Sequence, residues 1–193
     1  MSKAQSHSLI LASASPRRRD LLAEANYQFE VAPSNIDETA SPTEGLSPRK
    51  YAERLALAKA KDVAARFPDK LVLGADTVVD CNGGIIGKPD DAVDAERITR
   101  LLFSAPHAVI TGIALVRLSD NTEIVESDST TVYPRKLTDD QIAQHIAEGS
   151  WQDKAGAYAI QETGDQFIQR IEGSLTNVMG LPMELLARLL AGV

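Results

Sequence analysis

The sequence of 193 residues holds a single cysteine, Cys81, so no disulfide can close within the chain. A zinc site built on several thiolates is excluded for the same reason. The three histidines, His7, His107 and His145, are scattered and show no ligand spacing. Aromatic residues make up only 5%, which argues against a stacking platform for long single strands. No apolar run approaches the ~20 residues that span a bilayer. Residues 1–8 are polar and lack the apolar core of a signal peptide, so the expected location is cytoplasmic. An excess of positive charge is also missing: 20 Lys and Arg face 27 Asp and Glu, for a net charge of -7. That argues against a nucleic-acid polymer or an anionic membrane as partner. It leaves room for one anionic ligand in a local basic pocket.

What is present reads as an ordinary globular chain, 44% hydrophobic and 24% charged. No repeat or low-complexity segment breaks it, and one domain over residues 1–193 is expected. Short apolar runs alternate with amphipathic stretches, the pattern of an α/β fold. Strands are expected at residues 9–13, 27–32 and 71–79. A turn at Asn82-Gly83 returns through Ile85-Ile86. Two longer strands, 107–118 and 123–133, read as a hairpin, and residues 157–161 and 167–172 are further candidates. Ser15-Pro16 and Ser47-Pro48 each pair an N-cap with a proline at the first helical position. Asp90 or Asp91 opens a third helix. Thr138 and Gln141 make a capping box for a helix stopping near Gly149, and Pro182 opens a leucine-rich last one.

Polar residues where the pattern asks for apolar ones mark candidate chemistry. Asp76 sits inside Leu71-Val72-Leu73-Gly74-Ala75-Asp76-Thr77-Val78-Val79. A carboxylate there needs a partner, a hydrogen bond or a metal. Two readings stand: a functional acid, or an aspartate paired at a strand bend. Gly74 and Ala75 are small enough for a ligand to approach the backbone. Lys59 projects onto the apolar face of its helix at i+4 from Leu55 and i−4 from Val63. It either meets a buried carboxylate or anion, or snorkels to the rim. Ser13-Ala14-Ser15-Pro16-Arg17-Arg18-Arg19 joins hydroxyls and guanidiniums to a helix N-terminus, a setting for phosphate oxygens. Cations there are unfavourable without an anion nearby. The loop is not a Walker loop, since its glycines and Gly-Lys-Ser/Thr ending are missing. Asp37 and Glu38 offer loop carboxylates for Mg²⁺ or Mn²⁺, or are simply solvated. Lys88 in Gly87-Lys88-Pro89 can reach a phosphate or stay on the surface. Gln161 can read a base edge or pack in a small-residue strand. Asn177 and Gly180-Leu181-Pro182 read as a structural turn into the last helix.

Taken in order, Leu11-Ala12-Ser13-Ala14-Ser15-Pro16-Arg17-Arg18, Asp37-Glu38, Gly74-Ala75-Asp76-Thr77-Val78-Val79, Gly87-Lys88-Pro89, residues 153–161 and Asn177-Val178-Met179-Gly180-Leu181-Pro182 make the chain similar to Maf-type nucleotide pyrophosphatases. The resemblance implies a mixed twisted sheet flanked by helices. It implies two lobes around a central cleft, similar to the inosine-triphosphate pyrophosphatases. It implies hydrolysis of a nucleoside triphosphate to the monophosphate and pyrophosphate with a divalent metal, Mg²⁺ or Mn²⁺. By resemblance Asp76 is the proton acceptor, Ser15, Arg17, Arg18, Lys59 and Lys88 bind phosphates, and Asp76 and Glu38 hold the metal. Arg17, Thr77 and Gln161 match the positions tied to a dTTP and UTP preference. Ala159 and Glu162 stand where glycine is more usual in that branch, and Leu175 where tyrosine is. The same chemistry on a modified nucleotide such as 7-methyl-GTP is the alternative, as is a non-catalytic nucleotide-binding regulator of cell division. A homodimer is in keeping with the family.

Overall fold

The computed structural model describes residues 9–38, 45–149, 151–152, 154–158 and 167–193. The strands are β1 (Leu9–Leu11), β2 (Phe29–Val31), β3 (Leu71–Cys81), β4 (Gly84–Ile86), β5 (His107–Arg117), β6 (Thr122–Pro134) and β7 (Ile168–Glu172). The helices are α1 (Pro16–Glu24), α2 (Pro48–Ala64), α3 (Ala92–Leu102), α4 (Asp139–Glu148), α5 (Leu175–Val178) and α6 (Met183–Leu190). All seven strands share one sheet in the order β2-β1-β3-β5-β6-β7, with β4 added to β3. β1 lies parallel to β2 and β3, and every other pair is antiparallel. The alternation of apolar runs and amphipathic stretches implies an α/β class, the resemblance implies a mixed sheet flanked by helices, and the structure has both. Among the described residues no helix is long and apolar enough to cross a membrane.

Alternation along β3 assigns the two sides of the sheet. Leu71, Leu73 and Ala75 join a core with Leu21 and Leu22 of α1 and Leu185, Leu186 and Leu189 of α6. Val72 faces Ala56, Ala60, Val63 and Ala64 of α2. Further along, Val79 and Cys81 pack with Ala95, Ile98 and Leu102 of α3 and with Tyr158 and Phe167. His107 is buried there, and burial pushes its imidazole below the ordinary value. Its Nε2 lies 2.9 Å from the Tyr158 hydroxyl and its Nδ1 3.1 Å from the Leu102 carbonyl, so it donates at one end and accepts at the other.

α2 positions the site, and its sequence explains why. The Ser47 hydroxyl accepts from Lys50 N at 3.3 Å and Pro48 starts the first turn. Ala52, Ala56 and Ala60 then recur every four residues, a stripe with no bulk. The stripe rides directly on two glycines of the sheet. A Cβ at Gly74 would fall 2.1 Å from the Ala56 carbonyl oxygen, and one at Gly112 would fall 2.6 Å from Ala52 backbone. The opening expected at Gly74 for a ligand is therefore filled by α2.

The caps read from the sequence are in place. Thr138 and Gln141 exchange both bonds of the capping box, Gly149 closes α4 in the left-handed region, and Asp91 caps α3. Two stretches differ. Ala155–Ala157 is a 3₁₀ turn, not the start of a strand, with Gly156 and Ala157 both at positive φ. Residues 159–161 of that expected strand lie outside the described residues. The short helix α5 stands where a plain turn was expected, capped by Ser174, whose hydroxyl accepts from Asn177 N.

Candidate active site

The ladder of β3 has a gap on one edge. β1 pairs with it as far as Leu73, where Ala12 N donates to the Leu73 carbonyl at 2.8 Å. β4 takes up the same edge only from Val79. Among the described residues no strand pairs with residues 74–78 on that edge. Asp76 and Thr77 lie in the gap, and alternation sends their side chains to opposite faces. The turn from β1 into α1, the loop after β2 that carries Glu38, the middle of α2 and the loop after β4 all border it.

On the α2 face, Asp76 and Lys59 are buried, with relative exposures of 6% and 8%. Lys59 Nζ stands 2.7 Å from Asp76 Oδ1 and 2.9 Å from Glu38 Oε1. One ammonium thus serves two carboxylates. Burial pushes the Asp76 carboxyl above its ordinary value, and the opposing pull of Lys59 and Arg18 does not overcome it. Burial acts in the same direction on Glu38. There Lys59, with Lys88 and Arg18 behind it, prevails and holds the carboxyl below the usual range. Tyr51, two turns before Lys59 on α2, is pushed up by partial burial and by the charges of Asp76 and Glu38. No sequence signal had singled out Tyr51 as a neighbour of the pair.

On the other face Arg18 grips the strand on both sides of Asp76. Its Nη1 donates to the Ala75 carbonyl at 2.8 Å and to Ser13 Oγ at 3.1 Å. Its Nη2 donates to Thr77 Oγ1 at 3.1 Å, and its Nε to the Gly180 carbonyl at 2.8 Å. Four of five N–H groups are committed to protein oxygens. Burial draws this guanidinium below its ordinary value, against the pull of Asp76. Thr77 Oγ1 continues to Thr111 Oγ1 at 2.9 Å, and Thr111 donates to the Asn177 carbonyl at 3.0 Å. The Asn177 side chain donates to Val109 O and Thr130 Oγ1 and is fully buried. A threonine inside a strand gives no hint of such a chain, so Thr111 was not readable beforehand.

A model described as Maf-like protein matches residues 8–193. The chain belongs to the Maf-like protein family. It is 47% identical over 176 residues to a protein of Citrifermentans bemidjiense named dTTP/UTP pyrophosphatase, covering 91% of this chain and 90% of that protein. A protein of the same name from Moorella thermoacetica is 48% identical over 183 residues, covering 95% and 93%. A third, from Elusimicrobium minutum, is 44% identical over 182 residues, covering 94% and 96%. Among solved structures, the Staphylococcus aureus Ham1 protein superposes with a TM-score of 0.54 over 96% of this chain and 98% of that one. At 15% identity that likeness concerns the fold alone.

In this Maf-like chain the ladder gap gathers Asp76, Thr77, Glu38, Lys59 and Arg18 through direct contacts. Ser15 caps α1 by position, but its hydroxyl makes no cap bond, and α1 carries no acid in its first turn. Arg17 is half-buried beside Arg18, whose guanidinium it disfavours by like charge. Lys88 is exposed, yet close enough to Glu38 to favour its ionised form. Gln161 lies outside the described residues. Among those described, no three His, Cys, Asp or Glu side chains converge. A cavity of about 260 Å³ lined by Ser127, Asp128, Glu184, Leu185 and Arg188 shares no residue with the site.

Proposed function

We propose that this Maf-like chain is a nucleoside triphosphate pyrophosphatase that splits dTTP and UTP to the monophosphate and pyrophosphate. The observation that carries the reading is the buried Asp76–Lys59 pair set in the gap of β3. A buried ion pair is weak support for stability, because desolvation offsets the attraction. Its cost is understandable where chemistry needs a carboxylate of raised basicity beside a bound polyanion.

In this reading Asp76 takes the proton of a water that attacks the α-phosphorus. The bond from that phosphorus to the bridging oxygen breaks, and pyrophosphate leaves with the electron pair. Lys59 holds the Asp76 carboxylate in place and carries positive charge to the phosphates. Arg17, Lys88, the Ser15 hydroxyl and the free N–H groups at the start of α1 receive the phosphate oxygens. Arg18 has one N–H left for that task and acts chiefly by fixing Ser13, Ala75 and Thr77. Thr77, Arg17 and Gln161 meet the base.

The donor set suits a divalent cation. Two carboxylate oxygens already converge on one cationic point, the Lys59 ammonium, and Mg²⁺ or Mn²⁺ commonly takes one or two carboxylates with the remaining positions on phosphate oxygens and water. Asp76 and Glu38 would hold it. When bound, the ion supplies polarisation of the phosphate oxygens.

The test is pyrophosphate release from a panel of canonical and modified nucleoside triphosphates, with Mg²⁺ or Mn²⁺ and with a chelator control. Metal-dependent release from dTTP and UTP above the rest is expected. Preference for 7-methyl-GTP would keep the chemistry and reassign the base pocket. A folded sample that binds nucleotides and releases no pyrophosphate from any of them would overturn the enzyme reading.

A further inference from the structure

The hydrogen bonds on the Thr77 face run in one direction only. Arg18 at one end can donate and never accept, and the Asn177 carbonyl at the other can accept and never donate. Thr111 has one proton, and it goes to the Asn177 carbonyl at 3.0 Å. The 2.9 Å contact between the hydroxyls must then carry the proton of Thr77 toward Thr111. Thr77 Oγ1 also receives Arg18 Nη2 at 3.1 Å. Its proton and one lone pair are therefore used, and what remains is a single lone pair on a half-buried oxygen in the ladder gap. Thr111 and Asn177 are both fully buried, so water cannot substitute for either partner.

We propose that Thr111 is a positioning residue that makes Thr77 an acceptor-only contact, and that this polarity selects a base with a ring N–H. This deepens the reading above and rests on its assignment of Thr77 to the base. Uracil and thymine present N3–H between two carbonyls, and a lone pair on Thr77 accepts it. Cytosine presents a bare N3, an acceptor, and meets the lone pair with nothing to share. Rejection by an unmatched polar group in a closed site is stronger than rejection by shape alone. Replacing Thr111 by a residue without a hydroxyl frees the Thr77 proton to turn outward and serve cytosine.

The experiment compares kcat/KM for UTP and CTP in the wild type, Thr111→Val, Thr111→Ser and Thr77→Val, each checked by thermal melting. Thr111→Val is expected to lower the UTP-to-CTP ratio about tenfold, the size of one mis-set hydrogen bond, with the change in KM rather than kcat. Thr111→Ser restores the wild-type ratio, which loss of packing alone would not do. An unchanged ratio in Thr111→Val, with the ratio lost in Thr77→Val, overturns the relay and keeps Thr77 at the base. A ratio unchanged in Thr77→Val overturns the assignment of Thr77 itself. Because Thr111→Val also leaves the Asn177 carbonyl bare and can fail to fold, a second measurement uses the wild type alone. N3-methyl-UTP is set against 5-methyl-UTP, which carries the same added carbon and keeps the N–H. Markedly poorer turnover of the N3-methyl compound is expected, and equal turnover overturns the proposal.

Discussion

Asp76 and Thr77 are neighbours in sequence, yet their surroundings obey different physics. On the Asp76 side two carboxylates share one ammonium. The balance is left unresolved, with one acid pushed up and the other held down. On the Thr77 side the groups linking Arg18 to Asn177 are hydroxyls and an amide, and each hydroxyl proton has one destination. The charged side gives up stability and keeps a reactive group. The Thr77 side, a guanidinium followed by hydroxyls, orders the strand and sets the direction of its hydrogen bonds. Strand alternation lets one chain segment hold both on opposite faces, coupled only through the charge of Arg18 acting on Asp76.

The comparison breaks most visibly at Asp76. Asp76→Asn is expected to lower turnover about 10³-fold, the usual worth of a positioned base, with the melting temperature held or raised. Pyrophosphate release and thermal melting on the same sample read both effects. Persisting turnover in the folded variant would remove the charged side from the chemistry. The mirror test is Asn177→Ala, which strips the donors from Val109 O and Thr130 Oγ1. It should lose about 2 kcal/mol in urea unfolding while turnover of the folded enzyme survives. The partnerless Oδ1 of Asn177 disappears with it, which keeps the loss from being larger.

A smaller effect is a slope with pH in the metal-free enzyme. The native Asp76 binds its proton more tightly than in the unfolded chain. Its contribution is therefore favourable below the ordinary aspartate value and is lost as pH rises through the raised one. Melting curves across that range should show the wild type losing ground to Asp76→Asn as pH rises. A parallel pair of curves would contradict the raised value. Least of all, Glu38→Gln should move stability by less than ~1 kcal/mol, since its side chain is 48% exposed. It should nonetheless raise the Mn²⁺ concentration needed for half-maximal turnover.

Most of the framework was legible because local rules govern it. Ser47-Pro48, the Thr138–Gln141 box and the Asn82-Gly83 turn each specify their own geometry. So did the period that turned Lys59 inward. The partners of Lys59 could not be read that way, because they depend on how far α2 sinks onto Gly74 and Gly112. Gly74 illustrates the limit: a missing side chain marks a close approach and does not say by what. Arg18 looked like a phosphate ligand on charge alone. Only the fold reveals that Ser13, Ala75, Thr77 and Gly180, spread over most of the chain, converge on it. Thr111 and α5 carry no local anomaly, so nothing short of tertiary structure exposes them.

The gap in the β3 ladder bears on more than catalysis. Unpaired strand backbone ordinarily invites a second chain to dock and extend the sheet. Among the described residues the bare stretch is only residues 74–78, shut at one end by β1 and at the other by β4. An incoming strand would collide with both before finding register, and the Ala75 carbonyl is already held by Arg18. A break of that length, bounded on both sides and held by Arg18, offers a second polypeptide little edge on which to extend the sheet.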